Sequence, residues 1–301
     1  MKNFLLSFVN KLPYIRTLRR KVDLYEKNAH GDPGHYYSPI FDVDDLKKRK
    51  EIIWGATKTE TVAGIDLNAD AQLSLLREFE KYYGEFPFPA TQQNGCRYYS
   101  ENRYYGYTDG LMLYFMIRHF APQRIIEAGS GFSSALMLDM RSLYNTPKQL
   151  TFIDPETDRL KSLLQPEDEA HAKIVGRPVQ TVDASEFLQL QQNDILFIDS
   201  SHVTKTGSDV NYLLLEILPQ LLSGVIIHIH DIFYPFIYPE KWTFSGVNWN
   251  ETYLVRALLA NSNRYKILLF SDYIHLHHPQ ALEKFPINNL KKGQSIWLQV
   301  V

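Results

Sequence analysis

The sequence predicts an α/β protein, a doubly wound sheet that is parallel except for its last strand, preceded by a mainly helical region. Three observations carry that expectation. From Arg124 onward, short apolar runs alternate with amphipathic stretches, the pattern of a parallel sheet covered on both faces. The first run, Arg124-Ile-Ile-Glu127, passes into a small-residue loop, Ala128-Gly-Ser-Gly-Phe-Ser-Ser134, and then into the apolar segment Ala135–Met140. Residues 1 to about 120 show no such alternation.

Taken in order, the chain starts with Met1–Val9, which has the apolar look of a signal peptide but no small-residue cleavage site. Lys11, Arg16, Arg19 and Arg20 follow at once, so a basic amphipathic helix is the first reading, and membrane-surface contact the second. Leu73, Leu76, Phe79 and Tyr83 recur three and four apart, which predicts an amphipathic helix from Asp70 to Tyr83. Thr108-Asp109 is placed to cap a second helix, Gly110 to Phe120, that stops before Pro122. Gly34–Ile40 and Arg97–Tyr105 are too rich in hydrogen-bonding groups for a plain core. These elements make residues 1–120 a helical and aromatic cap region and 121–301 the sheet domain. Its candidate strands are Arg124–Glu127, Gln149–Ile153, Lys173–Val175, Asp194–Ile198, Gly224–His230, Tyr265–Phe270 and Ser295–Val301. Helices are expected between the first five. Asp272–Gln294 shows no helical periodicity and reads as a loop, which makes the last strand antiparallel beside the sixth.

A chain of 301 residues can bury one large core with a smaller appendage. A formal net charge of -2 supplies no field for nucleic acid, and no apolar run is long enough to span a bilayer. The single cysteine, Cys96, rules out an internal disulfide framework and fits a reducing, cytoplasmic setting. A homo-oligomer stays open, because the N-terminal region is able to cap its own site or a partner's. Nineteen tyrosines point to a tyrosine-lined pocket.

In an open parallel sheet, ligands bind at the carboxyl ends of the strands, and here those ends are polar. Gly129 and Gly131 let the backbone turn tightly and approach a ligand, with the amides of the following helix behind them. Glu127 selects among ligands, since a carboxylate there repels a pyrophosphate and holds an ammonium. S-adenosylmethionine carries such an ammonium. Asp154 then stands where an acid would accept from ribose hydroxyls, with Glu156 as its rival. Asp183, followed by Ala184, would take an adenine amino group or cap the next turn. His228 alternates with His230 along the fifth strand; one is expected to face the sheet packing as a satisfied core histidine, and His228 is assigned that role. Asp199, His202, His230 and Asp231 should converge at the ends of the fourth and fifth strands. Such oxygen and imidazole donors suit Mg²⁺ or Mn²⁺. His202, three residues past Asp199, is alternatively the general base that removes the acceptor's proton, and a hydrogen-bonded network without metal is the third reading.

With Glu127-Ala-Gly129-Ser-Gly131, Asp154, Asp183-Ala184 and Asp199, the chain resembles a class I S-adenosylmethionine-dependent methyltransferase over roughly three-fifths of its length, residues 120–301. The resemblance implies a Rossmann-like fold and a cofactor held by Glu127, Gly129, Ser130, Gly131, Ser133, Asp154, Asp183, Ala184 and Asp199. Ser133 replaces the third glycine of the usual pattern and keeps a donor for the ligand. Phe132-Ser-Ser134, Phe197–His202, Ile229–Pro235 and Trp249–Tyr253 are similar to bacterial small-molecule methyltransferases of the natural-product type. Some metal-dependent sugar O-methyltransferases of that kind are similar in pairing an aspartate with a histidine three residues on. By that likeness Asp199 and Asp231 would hold a metal and His202 would be the base, although His230 stands where that group has a second acid.

The expected reaction is methyl transfer to an oxygen or nitrogen of a small molecule such as a sugar or phenol. Tyr36-Tyr37, Tyr98-Tyr99, Tyr104-Tyr105 and Phe233–Tyr238 would cap the acceptor. A nicotinamide-dependent oxidoreductase is the runner-up, but it requires a glycine where Ser134 stands. A catalytically silent nucleoside-binding module is the third possibility, and buried ionisable groups argue against it.

Overall fold

The computed structural model describes residues 12–55, 59–285 and 292–301. The expected N-terminal segment Met1–Lys11 therefore lies outside the described residues, as does part of the 272–294 connection. The chain divides into two compact units, Met1–Gly55 with Glu240–Asn248, and Ala56–Pro239 with Trp249–Val301. The boundary expected near residue 120 falls inside the second unit.

In the smaller unit, helix α1 (Pro13–Asn28) begins on a proline whose missing N–H costs a first turn nothing. A short helix, Val43–Lys48, starts where Asp42 accepts from the amides of Asp44 and Asp45. The 240–248 segment joins this unit through Asn248, which accepts from the Phe41 amide at 3.1 Å. The Trp54 and Phe244 rings meet edge to face at 5.5 Å.

In the larger unit, helix α2 (Ala69–Tyr83) buries Leu76 and Phe79 of the expected stripe, leaves Leu73 and Tyr83 half-buried, and buries Gln72 beside them. Gln72 ties the helix to the sheet, donating to the Leu67 carbonyl and accepting from the Phe270 amide. Helix α3 (Tyr107–Phe120) is buried from Thr108 to Ile117, and Phe79 stacks on Phe115 at 5.1 Å. Gly106, not Thr108-Asp109, precedes its first turn. Asp109 instead turns its carboxylate to the sheet, accepting from the Gln294 amide and the Ser295 hydroxyl.

The sheet follows in the order β3-β2-β1-β4-β5-β7-β6. Its strands are β1 (Arg124–Ala128), β2 (Gln149–Ile153), β3 (Ala172–Val175), β4 (Ile195–Ile198), β5 (Ile226–His230), β6 (Tyr265–Phe270) and β7 (Ser295–Val300). The first five pair in parallel, while β7 runs antiparallel between β5 and β6, as the short final connection requires. Buried β-branched and leucine residues fill these strands, as expected of a sheet covered on both faces. Asp194, expected as the first residue of β4, lies just before it. There its carboxylate accepts from the Gln123, Arg124 and Gln191 amides and aligns β1 with β4.

Helix α4 (Phe132–Tyr144) connects β1 to β2 as expected. Two other connections differ from expectation. Between β3 and β4 the chain makes only short turns, Val179–Thr181 and Ala184–Glu186, because Pro178 and the Asp183 cap interrupt any longer helix. After β6, Ser271–His277 forms a helix where a loop was expected; seven residues are too few to display a helical period.

Candidate active site

The loop after β1 is shaped by what lies beneath it. Gly129 has φ +88°, and a Cβ there would stand 1.8 Å from the Asp199 carbonyl oxygen, so only glycine lets the loop cross the end of β4. Its amide donates to the Ile153 carbonyl at 3.0 Å, and the Asp199 amide donates to Ala128 at 2.9 Å, which ties the ends of β2, β1 and β4 together. Ser130 donates through both its amide and its hydroxyl to Asp154 Oδ2, at 2.8 and 3.1 Å.

Glu127 is fully buried under this loop. Ser133 Oγ donates to its Oε1 at 2.5 Å, and Ser134 Oγ donates to Oε2 while accepting from the Gly131 amide. Burial pushes the carboxyl up to about 8, against the two serine hydroxyls, with Asp199 and Asp154 adding to the rise. Glu127 thus holds the start of α4 by both oxygens. The Ser133 hydroxyl, expected as a donor for the ligand, is committed to Glu127 instead.

Along the rim, Asp154 is half-buried, and its second oxygen accepts from the Glu156 amide at 2.7 Å. Glu156 is exposed. Asp183 is exposed as well and caps the Ala184–Glu186 turn by accepting from the Ser185 amide; the Ser185 hydroxyl first and this amide second lower its pKa. Ala184 is half-buried in that turn.

The strand ends bring Asp199, His202, His230 and Asp231 together. His202 Nε2 lies 3.4 Å from Asp199 Oδ1 and 3.6 Å from Asp231 Oδ2, and His230 Nε2 lies 3.8 Å from Asp231 Oδ1. One donor atom from each of Asp199, His230 and Asp231 falls within 4.8 Å of the others. Both His202 and Asp231 have positive φ, +59° and +55°, a strained backbone for residues with a Cβ.

Glu251, which no sequence expectation singled out, completes the cluster. It opens helix α5 (Glu251–Leu259), is wholly buried, and accepts from His202 Nδ1 at 2.9 Å. The Asn250 and Glu251 amides both donate to the His202 carbonyl at 3.1 Å, and the Trp249 ring packs 4.3 Å from the imidazole. The segment 249–251 therefore clamps backbone and ring of His202 at once. The sequence signal was an acid in the first turn of a helix behind Trp-Asn, which also marks an ordinary helix start.

The charges follow from this packing. Burial would lower His202, but hydrogen bonds to Asp199 and Glu251 hold it well above the ordinary histidine value. Asp199 resists burial too: His230 and His202 bring it down to about 2. Burial lifts Asp231 to about 6, opposed by the same histidines. His228 is in the core as expected, stacked on Phe197 at 3.9 Å and pushed far below its usual pKa by burial. It does not face away from His230, however. A strand repeats every two residues, so the two rings share a face and lie 5.7 Å apart. Nor is it satisfied: neither of its ring nitrogens has a hydrogen-bond partner among the described residues.

The aromatic segments separate into packing and surface. Tyr98 and Tyr105 are buried: the Tyr98 hydroxyl donates to the Tyr105 carbonyl, and the Tyr105 ring packs 5.3 Å from His230. Phe233, Tyr234, Phe236 and Tyr238 are core residues. Tyr104 is exposed above the glycine loop, stacked on Phe132 at 6.1 Å beneath the Arg159 guanidinium at 4.4 Å, and Tyr99 meets Phe132 edge to face. Tyr36 and Tyr37 belong to the smaller unit and are exposed.

Residues 126–232 match the family model described as a methyltransferase domain. An uncharacterised protein of Archaeoglobus fulgidus is 35% identical over 167 residues, which cover 54% of this chain and 75% of that protein. Among solved structures, the chain is similar to the O-methyltransferase TomG of Streptomyces achromogenes in complex with SAM, at 15% identity and a TM-score of 0.39, covering 75% of this chain and 89% of that one. It is also similar to the SAH-bound methyltransferase PaMTH1 of Podospora anserina, at 13% identity and a TM-score of 0.41, covering 85% and 96%. No described helix is long and apolar enough to cross a membrane. The chain belongs to the family of its archaeal relative, and its residues 126–232, from β1 to just past β5, are a methyltransferase domain.

Proposed function

We propose that the protein transfers the methyl group of S-adenosylmethionine to an oxygen or nitrogen of a small molecule, a sugar or phenolic metabolite. The observation that carries this reading is the convergence of half-buried Asp199 with buried Asp231, His202 and His230 at the ends of β4 and β5, beside the glycine loop. The loop takes the methionine part of the cofactor, Asp154 the ribose, and Asp183 with Ala184 the adenine edge. Asp199 lies between cofactor and acceptor. The sulfonium already makes the methyl electrophilic, so the protein's first task is alignment, which is worth several kcal/mol of barrier.

His202 faces the acceptor with its Nδ1 fixed by Glu251 and its Nε2 between Asp199 and Asp231; because those bonds hold it protonated, it takes the acceptor's proton only after giving up its own. The donor set also fits a divalent cation: two carboxylates and an imidazole converge, and Asp231 Oδ1 has no hydrogen-bond partner among the described residues. Asp199, His230 and Asp231 would hold Mg²⁺ or Mn²⁺, which would lower the pKa of an acceptor hydroxyl. A cation there and a proton on His202 Nε2 oppose one another by charge. Mn²⁺ titrated into the protein should accordingly bind in the wild type and not in Asp231→Ala, as read by its electron paramagnetic resonance signal. Equal signals from the two proteins would remove the metal from the mechanism.

Titration with S-adenosylhomocysteine tests the cofactor site and the part Glu127 plays in it. A carboxyl raised to about 8 is mostly protonated at neutral pH and must lose its proton to pair with the ligand's ammonium. Binding at pH 7 should thus release close to one proton, about 0.9, measured by calorimetry in buffers of different ionisation enthalpy. Glu127→Gln should bind at least tenfold more weakly and release none. Unchanged affinity without proton release would confine Glu127 to holding Ser133 and Ser134. The same shift has a sign for stability: a raised carboxyl stabilises the fold below its unfolded value, and that contribution disappears as pH rises through about 8.

A further inference from the structure

None of the residues of helix α1 is buried, yet the helix is strongly two-sided. Tyr14, Leu18 and Val22 follow one another four apart on one face and are 72%, 41% and 52% exposed. Ile15 and Tyr25, half-buried, flank the same stripe. At 3.6 residues per turn, Arg16, Arg20 and Lys27 fall together on the opposite side with Arg19 at one margin, while Lys21 falls beside Tyr14 at the edge of the apolar stripe. Five cations and two acids, Asp23 and Glu26, give this helix a charge of +3 in a chain whose net charge is -2. The positive charge is concentrated on a helix of which the described residues bury nothing.

We propose that α1 is a membrane-surface helix. It lies in the plane of an anionic bilayer, with Tyr14, Leu18 and Val22 entering the headgroup boundary and the arginines at the phosphates. Charge complementarity selects this occupant. A second copy of the chain, related by a two-fold axis, would bring one +3 helix against another. Nucleic acid would meet the cations but give the apolar stripe nothing to bury. An anionic bilayer serves both faces, and tyrosine in particular favours the membrane–water boundary, where its ring is apolar and its hydroxyl stays wet. The same unit also exposes Tyr36, Tyr37 and Ile52, at 81%, 67% and 82%. A helix of this kind holds the enzyme at a surface without spanning it. The inference does not depend on which acceptor the active site takes.

The test is co-sedimentation of the full chain with vesicles of phosphatidylcholine containing phosphatidylglycerol, against vesicles of phosphatidylcholine alone. Binding to the anionic vesicles should exceed binding to the neutral ones at least about tenfold and weaken as salt is raised. The triple variant Arg16→Glu, Arg19→Glu, Arg20→Glu and the double variant Leu18→Glu, Val22→Glu should each lose that binding. Both should keep wild-type affinity for S-adenosylhomocysteine, which shows that the larger unit is intact. Absence of binding to anionic vesicles overturns the proposal, as does equal binding to neutral ones. Self-association of the wild type in analytical ultracentrifugation that the Leu18→Glu, Val22→Glu variant abolishes would assign the stripe to a second copy and overturn it too.

Discussion

Gly129→Ala is expected to abolish S-adenosylhomocysteine binding and to lower the stability of the larger unit by several kcal/mol. Two independent costs meet at this position. The backbone stands at φ +88°, where an L-residue with a Cβ is strained by about 1–2 kcal/mol. The new methyl would also lie 1.8 Å from the Asp199 carbonyl oxygen, an atom of backbone that cannot rotate away. The loop or the end of β4 must move, and both carry the site: Ser130 leaves Asp154 in the first case, and Asp199 shifts against His202 in the second. Gly131→Ala is the control. Its backbone is extended, at φ -178°, and a Cβ would approach nothing closer than the Arg159 side chain at 3.6 Å. That variant should fold as the wild type does, so any loss of affinity in it reports close approach of the ligand. Thermal denaturation and calorimetric titration of the pair decide the matter. Gly129→Ala binding S-adenosylhomocysteine with wild-type affinity would show that the loop is not the cofactor's seat.

How much of this was legible in the sequence depends on the range over which each feature is determined. Strands β2 and β6 were readable to the residue, because each is a short apolar run bounded by polar turns. The glycine loop was readable too, since its conformation needs residues without side chains. Helix starts were less so. Asp109 looks like a cap from its neighbours in the chain, and only the fold shows its carboxylate committed to Gln294 and Ser295, far along the sequence. Glu127 was recognised as special for its charge, but its engagement by Ser133 and Ser134 needs the loop folded back over the strand end. Glu251 was beyond reach for the same reason: it lies 49 residues from His202, and nothing local distinguishes it from a helix-opening acid. The shared face of His228 and His230, by contrast, followed from strand periodicity alone and was missed by reading alternation where the spacing is two.

Arg97→Ala should lower stability by about 3–5 kcal/mol and loosen the site from behind. Arg97 is a buried fork with every branch used: Nε donates to the Leu163 carbonyl at 3.0 Å, Nη1 to Asp139 at 2.7 Å, and Nη2 to both oxygens of Asp168. Asp139 in turn accepts from the Arg97 and Tyr98 amides, so this cluster fixes the start of the 97–105 segment on α4. Truncating the arginine leaves two carboxylates buried without their cation, which is the expensive way to break such a group. The damage then travels along the segment. Tyr98 holds the Tyr105 and Gly106 carbonyls through its hydroxyl, Asn102 holds Tyr105 from both sides, and Tyr105 packs on Phe197 and His230. Arg97→Lys should recover only part of the loss, because an ammonium supplies the charge but not the planar fork that reaches three partners at once. Calorimetric unfolding should show a midpoint lowered by on the order of 10 °C for the alanine variant. Methyl transfer should fall further than cofactor affinity, since the glycine loop is hydrogen-bonded to Asp154 and Glu127, while this segment reaches it only through the Tyr99 and Tyr104 rings against Phe132. An unchanged midpoint would mean that Asp139 and Asp168 are neutralised by another route, and the 97–105 segment would then owe its position to the packing of Tyr98 and Tyr105 alone.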